Sequence, residues 1–375
     1  MPDKPLSRRL FVSATGSASA AAAAQSGSGA GSGRQAVVTP LYAQSSGKAQ
    51  QDPLKIVTMY EFEPHELAKI RESVKNARVD IVICKSRDEF RAQLKDAEVV
   101  YGDIKGNELD FAPKLKWIQA GGAGMEGTLD DAHRKSPVVI TNYARTFAHG
   151  ITETGMGLLL CLTRGISKYY MPQFYKRQMK PMGTPKSDHH TELVGRTMGI
   201  VGMGGIGSML ARRAHYGFDM RVVATDAKPM PKPEYVAELH DPGWFREMVP
   251  QVDVLVAAVP HTKSTERMFN EQVFRSMKRT AYFLALSRGK VFDDMALVKA
   301  LKEGWISGAG LDVMPVEPPP SEHPIFDCPN VVMSAHTSGW SPDRQVRLID
   351  LFADNCRRYV SGIPLVNVVD KQAGY

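Results

Sequence analysis

Two side chains in the last quarter of this 375-residue chain are of the types needed to reduce a carbonyl: His336 in Ser334-Ala335-His336-Thr337-Ser338-Gly339 and Arg288 in Leu286-Ser287-Arg288-Gly289. Reduction of a carbonyl needs a hydride on the carbon and a proton on the oxygen, and a carboxylate on the same substrate would need a cation. A histidine can give or take that proton near neutrality, since its ordinary pKa is ~6.5. An arginine presents a planar fork of donors that can hold the carboxylate and polarise the carbonyl as charge develops. A third polar residue, Glu317, stands in Leu311-Asp312-Val313-Met314-Pro315-Val316-Glu317-Pro318. Each of the three closely follows an expected strand, which is the sheet edge where ligands bind in open α/β folds. Singly each has a plainer reading: a surface ion-pair partner, an acid leading a helix, a structural histidine.

The elements that would position them follow from apolar periodicity. From Leu54 onward short β-branched runs alternate with helical patterns, which argues for βαβ units and parallel sheets. A first block offers strands at 55–59, 80–84, 99–101 and 115–119, with helices at 65–75 and 88–95. A long apolar helix follows at 151–169, then a polar, Pro-containing arm at 171–190. A second block offers six strands at 198–201, 221–225, 252–259, 282–286, 308–311 and 331–334, the number expected of a full dinucleotide-binding sheet. A final amphipathic helix at 342–359 places Val346, Ile349, Phe352 and Cys356 on one face and has no strand of its own, so it is expected to return to the first block.

Gly202-Met203-Gly204-Gly205-Ile206-Gly207 lies between the first strand of the second block and a helix. There Gly202 permits the turn, Gly204 the approach of a pyrophosphate and Gly207 close packing of helix on sheet, with helix amides, including those of Gly205 and Ile206, receiving the phosphates. Asp226 ends the next strand, where a carboxylate accepts bonds from the ribose hydroxyls and repels a 2′-phosphate. This favours NAD over NADP, although Lys228 nearby softens the exclusion.

The ordered set of GxGxxG, Asp, SRG, LDV-x3-EP and H-x-SG resembles the D-isomer-specific 2-hydroxyacid dehydrogenase family, from Lys55 to the end of the chain. The resemblance implies two doubly wound parallel-sheet domains: a Rossmann NAD-binding domain (149–337) inserted into a flavodoxin-like substrate domain (54–148 and 338–375). It implies that Glu317 orients the ring of His336 in a proton relay and that Asp312 lies near the nicotinamide carboxamide. It adds Pro260, Thr265, Leu286, Ser287 and Ser338, with Arg288 and His336, to the cofactor contacts. The loop at Ala123, Gly124 and Met125 would present amides to the substrate carboxylate, with Glu126 standing where the family often has Asp. A homodimer is the assembly the family suggests. The activity implied is NAD-dependent interconversion of a D-2-hydroxy acid and its 2-oxo acid. Within the same fold the alternatives are a formate dehydrogenase, which carries Gln where Glu317 stands, and a dehydrogenase-like corepressor that senses nucleotide. Apolar Met125, Tyr60 and Trp340 hint at the rim of the substrate pocket.

A content of 43% hydrophobic and 23% charged residues excludes a disordered or fibrous chain, and no apolar run is long enough to span a membrane. The net charge of +7 raises the question of nucleic acid, but Lys4, Arg8, Arg9 and Arg34 against Asp3 place +3 of it in residues 1–47. The remaining +4 needs no polyanionic partner, and no nucleic-acid motif is present. Ser7-Arg8-Arg9-Leu10-Phe11-Val12, followed by an Ala/Ser/Gly stretch and Pro40-Leu41-Tyr42-Ala43, resembles a twin-arginine export signal, which implies a periplasmic enzyme; the alternative is a tail on a cytoplasmic one. Cys84, Cys161, Cys328 and Cys356 are too scattered for a zinc or redox motif and read as buried thiols. His149, His261 and His323 read as structural or rim residues and His189-His190 as solvated, with no metal site.

Overall fold

The computed structural model describes residues 53–75, 77–179 and 190–375. The expected export signal in residues 1–47, and His189 of the polar arm, lie outside the described residues.

Five strands form the first sheet: β1 (Leu54–Thr58), β2 (Val79–Ile83), β3 (Val99–Tyr101), β4 (Trp117–Gln119) and β5 (Val139–Thr141). All are parallel, in the order β2-β1-β3-β4-β5 of flavodoxin-like folds. Helices α1 (Pro64–Ser73), α2 (Arg87–Leu94) and α3 (Asp131–Lys135) cross between them. Ser86 and Asp130 cap the last two by accepting from Glu89 N and His133 N, as short polar residues do at a helix start.

Helix α4 (Ala148–Thr163) then leads, through a short α5 (Met171–Tyr175), into the second unit. Its sheet contains β6 (Thr197–Val201), β7 (Arg221–Thr225), β8 (Glu238–His240), β9 (Val254–Ala257), β10 (Tyr282–Ala285), β11 (Gly308–Leu311) and β12 (Val331–Met333). These are also parallel, in the order β12-β11-β10-β9-β6-β7-β8, with the Rossmann switch point between β6 and β9. Helices α6 (Gly205–Phe218), α7 (Phe245–Met248), α8 (Glu271–Ser276) and α9 (Asp294–Lys302) cover its faces. The central strands are buried on both faces, as their near-continuous apolar sequences require. The two doubly wound parallel sheets are the fold class expected from the sequence. The second sheet has seven strands rather than six. The added β8 is a polar three-residue edge strand with no apolar signal, and the first sheet has a fifth strand, β5, beyond the four expected.

The chain returns to the first sheet through α10 (Pro342–Val360), capped by Ser341. Leu348, Ile349, Phe352, Ala353 and Cys356 pack there with Leu54, Ile56, Phe62, Ile70 and Trp117. Val346, expected on this face, is 54% exposed. Its place in the contact is taken by Gln345, whose amide donates to Tyr60 Oη (2.6 Å) and Glu66 Oε1 (2.9 Å). All four cysteines are free thiols, three buried and Cys161 half-buried.

A buried carboxylate props the loops of the first unit. Glu108 is 1% exposed and accepts from Arg87 Nε (2.8 Å), Arg91 Nε (2.8 Å) and the Lys105 amide (2.9 Å). Burial alone would raise its pKa, but those hydrogen bonds outweigh it and hold the group at about 2. A folded-state pKa below the unfolded value stabilises the fold above the unfolded pKa, and that stability is lost as pH falls toward the folded one. Glu108→Gln is therefore expected to cost about 2–3 kcal/mol at pH 7, with the gap to wild type narrowing between about pH 4.5 and 2. Denaturant unfolding across that range measures it, and a pH-independent gap would contradict the account.

Candidate active site

The cofactor and catalytic candidates of the second unit follow the carboxyl ends of its strands: Gly202 after β6, Asp226 after β7, Pro260 beyond β9, Ser287 and Arg288 beyond β10, Asp312 after β11, His336 beyond β12. A cleft of about 300 Å³ opens there, lined by Ile151, Leu286, Ser287, Arg288, Asp312, His336 and Ser338 on the second unit's side, and by Ala123, Gly124 and Phe147 on the other.

On its exposed side, Nδ1 of His336 lies 2.7 Å from Oε2 of Glu317, whose Oε1 accepts from the Met314 amide at 2.8 Å. The carboxylate is thus fixed by backbone at one oxygen and faces the imidazole with the other. Nε2 of His336 has no protein partner among the described residues. The histidine itself adopts a left-handed conformation, φ 54°, rare for a non-glycine residue and held here by several bonds. His336 N donates to Asp312 O at 2.8 Å. The Asp312 carboxylate, 2% exposed, accepts from Ser334 Oγ (2.8 Å), Ser338 N (3.3 Å) and Ser338 Oγ. Asp312 therefore anchors the loop that carries His336 while also lining the cleft.

Arg288 donates from Nη1 to Ser287 O (2.7 Å) and from Nε to Glu126 Oε1 (2.8 Å). Glu126, the residue that departs from the family's usual Asp, thus reaches across to the guanidinium, a contact between residues 162 apart that the sequence does not announce. Gly124 lets the Arg288 guanidinium come this close: a Cβ there would stand 1.8 Å from Arg288 Nη2 and push that side chain aside. In the same loop Ala123 O accepts from Asn142 Nδ2 (2.8 Å). The Met125 side chain is 2% exposed and packs in the first unit's core beside Ile118 and Leu129, so it is no part of a rim. Trp340, by contrast, is 69% exposed, lines the cleft and stacks beneath the Arg344 guanidinium at 4.4 Å. Tyr60 is held by Gln345 and does not line it.

The glycine run fits a dinucleotide. Cβ atoms at Gly202 and Gly207 would collide with backbone at 2.8 Å (Ala258 O) and 1.9 Å (Gly202 O), whereas one at Gly204 meets nothing within 4 Å. Two positions are thus closed by the protein's own packing and the third opens onto space at the N-terminus of α6, where amides and helix dipole favour phosphate. Ile206 lines the cleft beside it. Asp226 takes the Met203 amide (2.6 Å) on one oxygen and the Lys228 amide (2.7 Å) on the other. The Lys228 ammonium sits 4.1 Å over the Tyr375 ring, and burial together with the nearby Asp226 and Asp370 carboxylates raises that phenol. Thr265 Oγ1 donates to Pro260 O (2.6 Å) and so shapes the loop beyond β9.

The remaining histidines fall elsewhere. His323 caps a short turn, accepting from Ile325 N (3.2 Å) and pairing with Asp294 (3.1 Å), while His190 contacts Tyr170 Oη at 3.2 Å. No cluster of metal-ligating groups occurs among the described residues.

Comparison with known proteins bears on the fold and the family. Residues 156–338 match the family described as D-isomer specific 2-hydroxyacid dehydrogenase, NAD binding domain. The chain is 33% identical to a glyoxylate reductase of Korarchaeum cryptofilum over 72% of this chain and 80% of the relative. It is 34% identical to one from Pyrococcus furiosus, over 76% and 86%. Among solved structures, an NADPH-dependent glyoxylate/hydroxypyruvate reductase from Sinorhizobium meliloti, in complex with NADP and sulfate, superposes with a TM-score of 0.69 at 25% identity, covering 86% of this chain and 99% of that one. A D-isomer specific 2-hydroxyacid dehydrogenase from Xanthobacter autotrophicus Py2 gives 0.72 at 20% identity, over 86% and 100%. With fold, glycine loop and relatives in accord, the chain belongs to the D-isomer specific 2-hydroxyacid dehydrogenases, NAD(P)-dependent oxidoreductases acting between 2-hydroxy and 2-oxo acids.

Proposed function

We propose that this enzyme reduces a small 2-oxo acid, of the size of glyoxylate or hydroxypyruvate, to the D-2-hydroxy acid, with His336 as proton donor, Glu317 as its orienting partner and Arg288 with the amides of Ala123, Gly124 and Met125 as the carboxylate site. The observation that carries the reading is the 2.7 Å contact of His336 Nδ1 with Glu317, in a residue that lines the cleft and whose Nε2 has no protein partner among the described residues. The bound dinucleotide supplies the hydride for the carbonyl carbon. Nε2 of His336 gives its proton to the carbonyl oxygen and regains one from solvent; in the reverse direction it takes the hydroxyl proton. Arg288 offsets the charge that grows on that oxygen. The substrate size rests on the relatives' names, and a homodimer rests on the family resemblance alone. Steady-state assay with NADH and a panel of glyoxylate, hydroxypyruvate, pyruvate and longer 2-oxo acids tests it. Turnover of the small members is expected, and failure of all of them while NADH binds would sink the proposal.

Cofactor choice follows from Asp226. The family accommodates both dinucleotides, and a fixed carboxylate at the ribose end disfavours a second phosphate there. Asp226→Ala is expected to raise the ratio of NADPH to NADH kcat/KM by about 10- to 100-fold. Side-by-side kinetics with both cofactors would show it, and an unchanged ratio would remove Asp226 from this role.

A further inference from the structure

Arg145 sits between β5 and α4, at the point where the chain leaves the first unit, and adopts φ 72°. A left-handed backbone costs a side-chain-bearing residue of order 1 kcal/mol, and glycine almost nothing. The surrounding loop is pinned in that shape. Ala144 N donates to Asn142 Oδ1 (3.0 Å), Asn367 Nδ2 to Ala144 O (2.8 Å), and Arg347 Nε to Thr146 O (3.3 Å). The strain is therefore imposed by the fold, at a site where the smallest residue would fit better and an arginine stands instead.

The Arg145 side chain gains nothing from the protein in return. Among the described residues its guanidinium has no carboxylate, carbonyl or ring partner, although it lines the cleft. What it touches is the start of α6: a Cβ on Gly205 would lie 2.6 Å from Arg145 Cα and 2.8 Å from its Cγ. Its stem therefore lies against the start of α6, and its exposed guanidinium, without a partner among the described residues, stands at the cleft that Ile206 of α6 also lines. A phosphate bound at the α6 amides would supply that guanidinium with the partner the protein does not.

We propose that Arg145 clamps the pyrophosphate of the dinucleotide, reaching from the first unit to the phosphates held at the amino end of α6. The proposal rests on the dinucleotide site described above and adds to it a ligand from the opposite wall of the cleft. Cofactor binding is thereby tied to the segment that joins the two sheets.

The full-length protein and its Arg145→Gly and Arg145→Lys variants, titrated by calorimetry with NADH, ADP-ribose and adenosine, provide the test. In Arg145→Gly the Kd for NADH and ADP-ribose is expected to rise about tenfold or more, with that for adenosine changing far less, as loss of a charge-assisted phosphate contact implies. Its log Kd is expected to depend less steeply on salt, its Tm to hold or rise because glycine takes the backbone without strain, and Arg145→Lys to retain part of the affinity. Unchanged NADH and ADP-ribose binding overturns the clamp. So does a variant that loses all three ligands together with Tm, since that is the pattern of a merely structural residue. If the wild type binds neither NADH nor ADP-ribose, the dinucleotide reading falls, and the clamp with it.

Discussion

Replacing His336 by asparagine is expected to lower kcat by about 10²- to 10⁴-fold while leaving the Kd for NADH within a few-fold of wild type. Asparagine is the informative choice because the residue sits at φ 54°, a conformation asparagine tolerates better than alanine, so the loop tied to Asp312 keeps its shape. Its amide can still meet Glu317, yet it carries no proton that can be passed to a carbonyl oxygen. Single-turnover oxidation of enzyme-bound NADH isolates the chemical step from product release. A rate within threefold of wild type would take His336 out of proton transfer. Glu317→Gln, which keeps a hydrogen bond to the ring but not the charge, is the companion measurement that separates orienting the ring from donating the proton.

The second large effect concerns binding and not chemistry. Gly204→Val is expected to fold normally, with Tm within about two degrees of wild type, and to weaken NADH binding at least 100-fold. The backbone of Gly204 has φ −67°, which any residue accepts, and a Cβ there meets no protein atom within 4 Å. A valine can therefore be housed by the apoprotein, and its methyl groups fill the space that phosphate oxygens need. Gly207 differs sharply, since a Cβ would be driven to 1.9 Å from Gly202 O, and Gly207→Val is expected to prevent folding. Fluorescence titration with NADH beside a thermal melt distinguishes the two, and a Gly204→Val protein that binds NADH normally would move the pyrophosphate elsewhere.

The placement of the candidate site is legible in the sequence where information is local. The glycine run, Asp226 and the motifs around Arg288, Glu317 and His336 each place a polar residue just beyond an apolar strand, and the order of strands and helices puts those ends on one sheet edge. It is lost where a contact is made only by the completed fold. Glu126 and Arg288 are 162 positions apart, and nothing near either marks the other as its partner. Met125 reads as a loop residue available to ligand, yet the turn that Thr128 and Leu129 close onto its carbonyl directs the side chain into the core. Arg145 was invisible because a left-handed arginine leaves no signal: positive φ is legible in a sequence only when it is spelled with glycine or asparagine. Strand β8, Glu238–His240 at the edge of its sheet, is too polar to read as a strand.

The interrupted order of the first sheet has a consequence for how the protein is made. Its β-strands are complete by Thr141, but the helix that covers α1 and the buried faces of Ile56 and Trp117 begins only at Pro342, and Val368 bridges back to Thr141. During synthesis the nascent first unit must wait with that apolar face bare while some two hundred residues of the second are translated and collapse. At 5–20 residues per second that delay is on the order of ten to forty seconds, long enough for chaperone capture or aggregation to compete. Ribosome-stalled chains ending near residue 335 are thus the stage at which this enzyme is most exposed, a nearly finished nucleotide lobe attached to an unroofed partner.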